Sequence, residues 1–257
     1  MPLHPSQDGE AAFRLQRLKE VFSGEHAWCG EKMMLSRELE DAVPLGAFFE
    51  NGTFAEAIER YCATHGGADR RAAASFWSLY YFSALAIPYI VACRAEMALP
   101  VSLDDMTISI GDDGLPRAFG LPHEGDWSVS SGLMEFVVPL VGKHLSRVVA
   151  HLNARTGIST KLAWNNAAVY IDYAFNTTEM AASAGVDHWP SRPLFDCPKL
   201  ADGSKNPFHG CLRHDVEEGQ AFCRRKVCCL RYMLPGVSSC GELCALPDQR
   251  KPNERKQ

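Results

Sequence analysis

Cys223, Cys228, Cys229, Cys240 and Cys244 fall in one short C-terminal window, CRRKVCCLRYMLPGVSSCGELC. The other five cysteines, Cys29, Cys62, Cys93, Cys197 and Cys211, are spread singly along the preceding chain. A disulfide-stapled secreted domain is usually short and carries cysteines throughout, whereas 257 residues can bury a sizeable core without staples. The window therefore reads as a metal or redox centre.

Spacing bears on which metal. Structural zinc is generally held by two C-x2-C or C-x4-C knuckles whose sulfurs converge tetrahedrally on one ion, and the adjacent pair Cys228-Cys229 fits that geometry poorly. A two-iron cluster shares its four thiolates between two metal centres, so two near and two more distant ligands are natural. Three alternatives stand beside it: a structural zinc held by four thiolates, a strained vicinal disulfide at Cys228-Cys229, and plain buried thiols. The last suits Cys29, Cys62 and Cys93.

The run RRKVCCLRYMLPGVSSCG resembles the C-terminal signature of the FhuF-type ferric siderophore reductases, in which C-C-x10-C-x2-C binds a [2Fe-2S] cluster. On that resemblance Cys228, Cys229 and Cys240 take the first three ligand positions, with the ten-residue gap intact. The fourth departs from the pattern, because CGELC puts three residues rather than two before Cys244. Cys244 is nonetheless assigned as the fourth ligand, since a loop can absorb one extra residue; Cys223 is the rival donor. A second segment, TKLAWNNAAVYIDYAF, resembles a KL-x-W-x-N stretch of the same family, matched by Lys161, Leu162, Trp164 and Asn166. The likeness is specific over roughly the last hundred residues. Before residue 150 it is one of pattern only.

Charge is uneven. From Cys211 onward nine Lys and Arg face six Asp and Glu, a net of +3, against −8 for the preceding 210 residues. Arg224, Arg225, Lys226 and Arg231 flank the paired cysteines. They can draw an acidic electron donor or an acidic siderophore edge, or offset the negative charge of a thiolate-bound cluster; they can also be the solvated face of a hairpin. Arg224 and Arg231 are taken as candidate substrate contacts. No basic stripe or reader motif points to nucleic acid.

The elements that must position the cysteines read as mainly helical. Residues 9–22 and 53–65 have helical periodicity, with Thr53 as N-cap of the second. Ala72 to Cys93 is uncharged and long enough to span a bilayer, yet its serines, tyrosines and Pro88 suit a buried core helix, kinked near the proline. MTISI, Gly111-Asp112-Asp113-Gly114 and Arg117-Ala118-Phe119 form a hairpin. Ser130 to Arg155 repeats apolar residues at helical spacing and carries His144 on its apolar face, as a core histidine. Gly157 ends that helix, and Ser159 or Thr160 caps the next, which runs to about Phe175. It carries Trp164, Asn165, Asn166, Tyr170 and Tyr173, whose polar groups either find partners inside, tying down a neighbouring loop, or face a cavity that suits a bulky amphipathic chelate, with Trp164 and Asn166 as the candidate contacts. From Asp187 to Phe208 the chain is mostly loop, with His188 and Trp189 as rim residues. A second hairpin around Glu217-Glu218-Gly219 then delivers Cys228 and Cys229.

The expected architecture is α+β: a mainly helical body over 1–205, a C-terminal hairpin and [2Fe-2S] module over 206–246, and a charged, disordered tail over 247–257. MPLHPSQDGEAAF has no secretory pattern, which points to the cytoplasm or the inner face of the membrane, with at most peripheral membrane contact. The resemblance implies one-electron reduction of a ferric siderophore, with a hydroxamate type favoured and an unidentified electron donor. An iron-sulfur regulator or carrier, or a module with a structural zinc, is the alternative.

Overall fold

The computed structural model describes residues 18–127, 133–179, 190–217 and 220–249. Short elements open it. Helix α1 (Ala27–Lys32) runs into strand β1 (Met33–Leu35), and strand β2 (Ala42–Pro44) leads to helices α2 (Leu45–Glu50) and α3 (Thr53–Thr64). Gly52, at φ 89°, is the N-cap of α3, so Thr53 is its first helical residue rather than its cap. Of the helix expected over 9–22, only its end is described, and 18–21 is helical.

The uncharged stretch forms a single helix, α4 (Arg70–Arg94), started by Asp69, whose carboxylate accepts from the Arg71 and Ala72 backbone N–H groups at 2.8 and 3.3 Å. It is long and apolar enough to cross a membrane, but 89% of its apolar window is buried inside the protein. Trp77, Tyr81 and Tyr89 are wholly enclosed, and each polar tip is met: Trp77 Nε1 donates to the Gly114 carbonyl at 2.9 Å and the Tyr89 hydroxyl to the Phe136 carbonyl at 2.7 Å. A helix apolar all round is the centre of a fold whose other elements wrap it.

After α4 come β3 (Met97–Ala98), β4 (Thr107–Ile110), β5 (Pro116–Leu121) and β6 (Asp126–Trp127). β4 and β5 form the expected hairpin. Gly114 in its turn has φ 84°, and a Cβ there would lie 2.1 Å from the Ala57 carbonyl oxygen, so the turn packs on α3 only as glycine. β1 joins β5 in parallel, giving a four-stranded sheet in the order β1-β5-β4-β2. The expectation of hairpins alone missed this pairing, because β1 and β5 lie far apart in sequence.

Helix α5 (Leu133–Leu140) continues through a π-helical turn, Val141–Leu145, into α6 (Ser146–Thr156). Gly157, at φ 76°, ends it, and Ser159 Oγ accepts from Leu162 N at 3.1 Å to start α7 (Thr160–Glu179). α7 packs along α4. The short helix α8 (Arg192–Asp196) follows, then strands β7 (Leu212–Glu217) and β8 (Gln220–Arg225). His188 and Trp189 lie outside the described residues, as does the tail beyond 249. The fold is α+β and mainly helical.

His144 lies in the π-turn, fully buried. The Val101 carbonyl, 3.0 Å from Nδ1, can only accept, so Nδ1 carries the proton and Nε2 accepts from the Tyr81 hydroxyl at 2.6 Å. Both nitrogens of the neutral ring are satisfied. Burial lowers its pKa from 6.5 to about 4, and the positive charge of Arg147 pushes the same way. The unfolded chain therefore takes up a proton below pH 6.5 that the folded protein refuses until about pH 4. Unfolding free energy should fall by up to about 3 kcal/mol across that window as pH is lowered. Denaturation curves of the native protein and of His144→Gln should differ in slope there.

Candidate metal centre

The β7–β8 register sorts the basic residues. Leu212 pairs with Arg225, His214 with Cys223, and Arg213 with Arg224, so Arg225, His214 and Cys223 share one face and Arg224 the other. Arg225 enters the protein and is 4% exposed. Arg224 Nη1 lies 3.7 Å from Asp215 and its Nη2 3.4 Å from Glu242, and its guanidinium stacks over Phe222. Arg224 thereby ties the hairpin to the segment before Cys244, and it lines a polar cavity with Arg213 and Asp215.

Beyond β8 the chain loops through Cys228 and Cys229. Leu230 is forced to φ 61°, unusual for a side chain of this size, and its N–H points at Cys228 Sγ at 3.4 Å. Cys228, Cys229, Cys240 and Cys244 line one small cavity with Arg231, Tyr232 and Ser239. The sulfurs of Cys229 and Cys240 are 3.8 Å apart. Two thiolates on one tetrahedral metal, each at about 2.3 Å, sit roughly that far from each other. The extra residue before Cys244 is absorbed by a 3-10 turn, Gly241–Leu243, closed by Cys244 N donating to the Gly241 carbonyl at 3.0 Å. The tight turn folds the chain back, and the longer spacing thus still leaves Cys244 lining the same cavity as Cys240. Cys223 does not line this cavity.

The four thiols fit a thiolate-held metal group in position, and one of them is already biased toward the thiolate. Cys229 is held well below the ordinary thiol range by the hydrogen bond from Cys240, with the positive charges of Arg225 and Arg231 helping. Cys240 is pushed up by the same hydrogen bond and by burial. One proton is thus shared unequally between two close sulfurs, the pattern that a cation would replace. No disulfide joins any of the described cysteines.

What holds this loop on the body is a buried polar knot. Ser75 Oγ of α4 donates to the Cys229 carbonyl at 2.7 Å. Asn166 Nδ2 lies 3.0 Å from Ser75 Oγ and 2.9 Å from Ser78 Oγ, and Asn166 Oδ1 accepts from Arg225 Nη1 at 2.6 Å. Asn166 is fully buried among these partners. Of the two roles open to it, it takes the tying one: it fastens α7, α4 and β8 beneath the cysteine loop. Its neighbour Asn165 donates to the Cys211 carbonyl at the foot of the hairpin. Trp164 packs edge-on to Phe208 of the NPF turn, with ring centroids 5.3 Å apart, and lines a separate cavity with Lys161 and Lys226.

The space beside the cysteines is a cavity of about 720 Å³ between α4, α7 and the hairpin. Cys240, Ser239, Arg225 and Arg231 form its inner end, Tyr170 and Tyr173 one wall, and Trp28 part of another. Tyr173 and Trp28 are exposed. Arg231 lines it, held over the Phe76 ring at 4.7 Å and donating to the Ser239 carbonyl at 3.4 Å. Neither Trp164 nor Asn166 lines it.

Residues 75–221 match the family described as ferric iron reductase FhuF-like transporter. The chain belongs to this family. It is also 25% identical over 182 residues to the ferric siderophore reductase of Escherichia coli (strain K12), covering 67% of this chain and 64% of that protein. The chain thus spans less than two thirds of the length of that relative. Within this FhuF-like chain, Tyr170 and Tyr173 lie on the helix that the sequence set beside a cavity and Arg225 is one of the basic residues flanking the cysteines, whereas Trp28 is a cavity residue that sequence reasoning missed. Asn166, Tyr170, Tyr173 and Thr177 recur at helical spacing, and that stripe was the available signal for the two tyrosines.

Asn166→Ala should leave the Arg225 guanidinium buried without its acceptor. Removing one partner of a buried charged contact costs about 3 kcal/mol or more. Chemical denaturation should show that loss, with metal bound less firmly, whereas Trp164→Ala should leave metal content near that of the native protein.

Proposed function

We propose that this protein is a ferric siderophore reductase carrying a [2Fe-2S] cluster on Cys228, Cys229, Cys240 and Cys244. The single observation that carries the reading is the meeting of four cysteine side chains around one small cavity, one of which, Cys240, also lines a neighbouring cavity large enough for a chelate. The name of the Escherichia coli relative and the family match support it.

A [2Fe-2S] cluster held there would supply single electrons to the bound iron. No acid, base or nucleophile is required of the protein. Hard hydroxamate oxygens hold iron(III) tightly and iron(II) weakly, so one electron loosens the metal. Arg225 and Arg231 offset the thiolate charge and give an anionic chelate a positive inner end to approach. Tyr170, Tyr173 and Trp28 offer ring faces to the apolar body of the ligand and keep bulk water from the inner end. Ser75 and Asn166, through Arg225 and the Cys229 carbonyl, keep the loop still while charge changes. The donor is a separate reduced protein or small reductant. We place the reaction in the cytoplasm or at the inner face of the membrane, where thiols stay reduced.

Protein purified under nitrogen should be coloured and contain about two irons and two sulfides per chain. Cys244→Ser should strip or strongly weaken the cluster, because oxygen is a poorer partner for iron than a thiolate, while Cys223→Ser should leave its spectrum unchanged. The reduced protein should be reoxidised by a ferric hydroxamate within seconds to minutes, with iron(II) trapped by a ferrous chelator. A colourless protein holding one zinc would end the cluster reading. Reduced protein that ignores every ferric chelate offered would end the reductase reading.

A further inference from the structure

The same face of the hairpin that buries Arg225 carries a second constellation. His214 and Cys223 are direct cross-strand partners, and α7 brings Asp172 against both. One donor atom from each of the three lies within 4.8 Å of the other two. His214 Nε2 is 2.7 Å from Asp172 Oδ1, and their side chains are only 6% and 5% exposed. Ser191 Oγ donates to that same carboxylate oxygen at 2.5 Å and so fixes its direction. An ion pair joining the hairpin to α7 would need the carboxylate and the imidazole alone. A thiol aimed at the same point is a third donor.

The set has the chemistry of a borderline cation: one oxygen, one nitrogen and one sulfur donor. A divalent ion held by a carboxylate, a neutral imidazole and a thiolate leaves no net charge in a buried place, which limits the desolvation cost. Three protein donors leave further coordination positions open, the arrangement of sites that exchange a ligand rather than of closed structural ones. Asp172 and Cys223 also line the 720 Å³ cavity that Cys240 lines, so an ion set free beside the cysteines has a way to them within one cavity.

We propose that Asp172, His214 and Cys223 bind a divalent transition-metal ion, and that this ion is the iron(II) released from the chelate. The identity of the ion rests on the reductase reading above. Iron(II), softer than iron(III), exchanges the chelate's oxygens for the carboxylate, imidazole and thiolate. The proton on His214 Nε2 that points at Asp172 moves by way of water to Nδ1, so that the neutral ring offers Nε2; the Cys223 thiol loses its proton to water as the Fe–S bond forms, the freed chelate oxygens take up protons, and no electron moves in this step. Burial and the Asp172 carboxylate raise the Cys223 pKa, so the thiol keeps its proton until a cation arrives.

Equilibrium dialysis of cluster-loaded protein against iron(II) under nitrogen tests this. The native protein should take up one iron(II) per chain beyond the cluster iron, and Cys223→Ser and His214→Gln should weaken that uptake by roughly tenfold or more with the cluster spectrum unchanged. Cobalt(II), which such donors bind more tightly than iron(II), should give the native protein a sulfur-to-cobalt absorption that Cys223→Ser abolishes. This second readout needs no variant to show sulfur ligation. Equal iron uptake by all three proteins, a cobalt spectrum without sulfur absorption, or loss of the cluster in Cys223→Ser would each overturn the proposal. Reoxidation of the reduced protein by ferric chelates is a separate measurement, so failure of the reductase reading would be seen independently of metal binding here.

Discussion

The buried guanidinium of Arg225 imposes a condition that much of the structure is built to meet. A positive charge 4% exposed is costly unless something inside the protein answers it. Asn166 Oδ1 meets one of its N–H groups at 2.6 Å, and the same amide turns its nitrogen to Ser75 and Ser78 of the central helix. Ser75 then reaches the Cys229 carbonyl. Two helices, a strand and the cysteine loop are therefore held by one connected set of polar atoms within an apolar core. Because low dielectric strengthens a satisfied network and penalises a broken one, the loop cannot shift without leaving a buried polar group unanswered.

That arrangement explains why the central helix is both apolar and serine-bearing. Most of α4 is there to be surrounded, and its aromatic rings fill the space between the sheet and the helices. Ser75 and Ser78 stand one helical turn apart on the side facing α7. They are too few to make the helix amphipathic, yet enough to mark the line along which the cysteine loop docks. Nearby Phe76 supplies the ring beneath Arg231. Neighbouring positions on one helix thus place both arginines that face the thiols.

The family motif acquires a physical meaning in the same way. Of the residues in the KL-x-W-x-N stretch, Asn166 fastens the loop and Trp164 braces the NPF turn through Phe208, and neither reaches the cavity beside the cysteines. In this chain the two residues hold neighbouring segments in register. The aromatic residues that line the cavity lie further along the same helix.

Much was legible in the sequence because it depends on local rules. The crowding of thiols, the long apolar helix, the caps at Gly157 and Ser159, the two hairpins and the family signature follow from spacing, propensity and composition. His144 as a core residue followed from its place on an apolar stripe. Tertiary structure alone decided what depends on long-range closure: the parallel pairing of β1 with β5, and the return of Cys244 through a 3-10 turn to the cavity that Cys240 lines. It also decided which of two adjacent buried arginines meets α7 and which meets the segment before Cys244, since strand alternation gives them opposite faces. The convergence of Asp172, His214 and Cys223 belongs to the same class. Residues from a helix and two strands share a point only after those elements have packed, and no spacing along the chain encodes that distance.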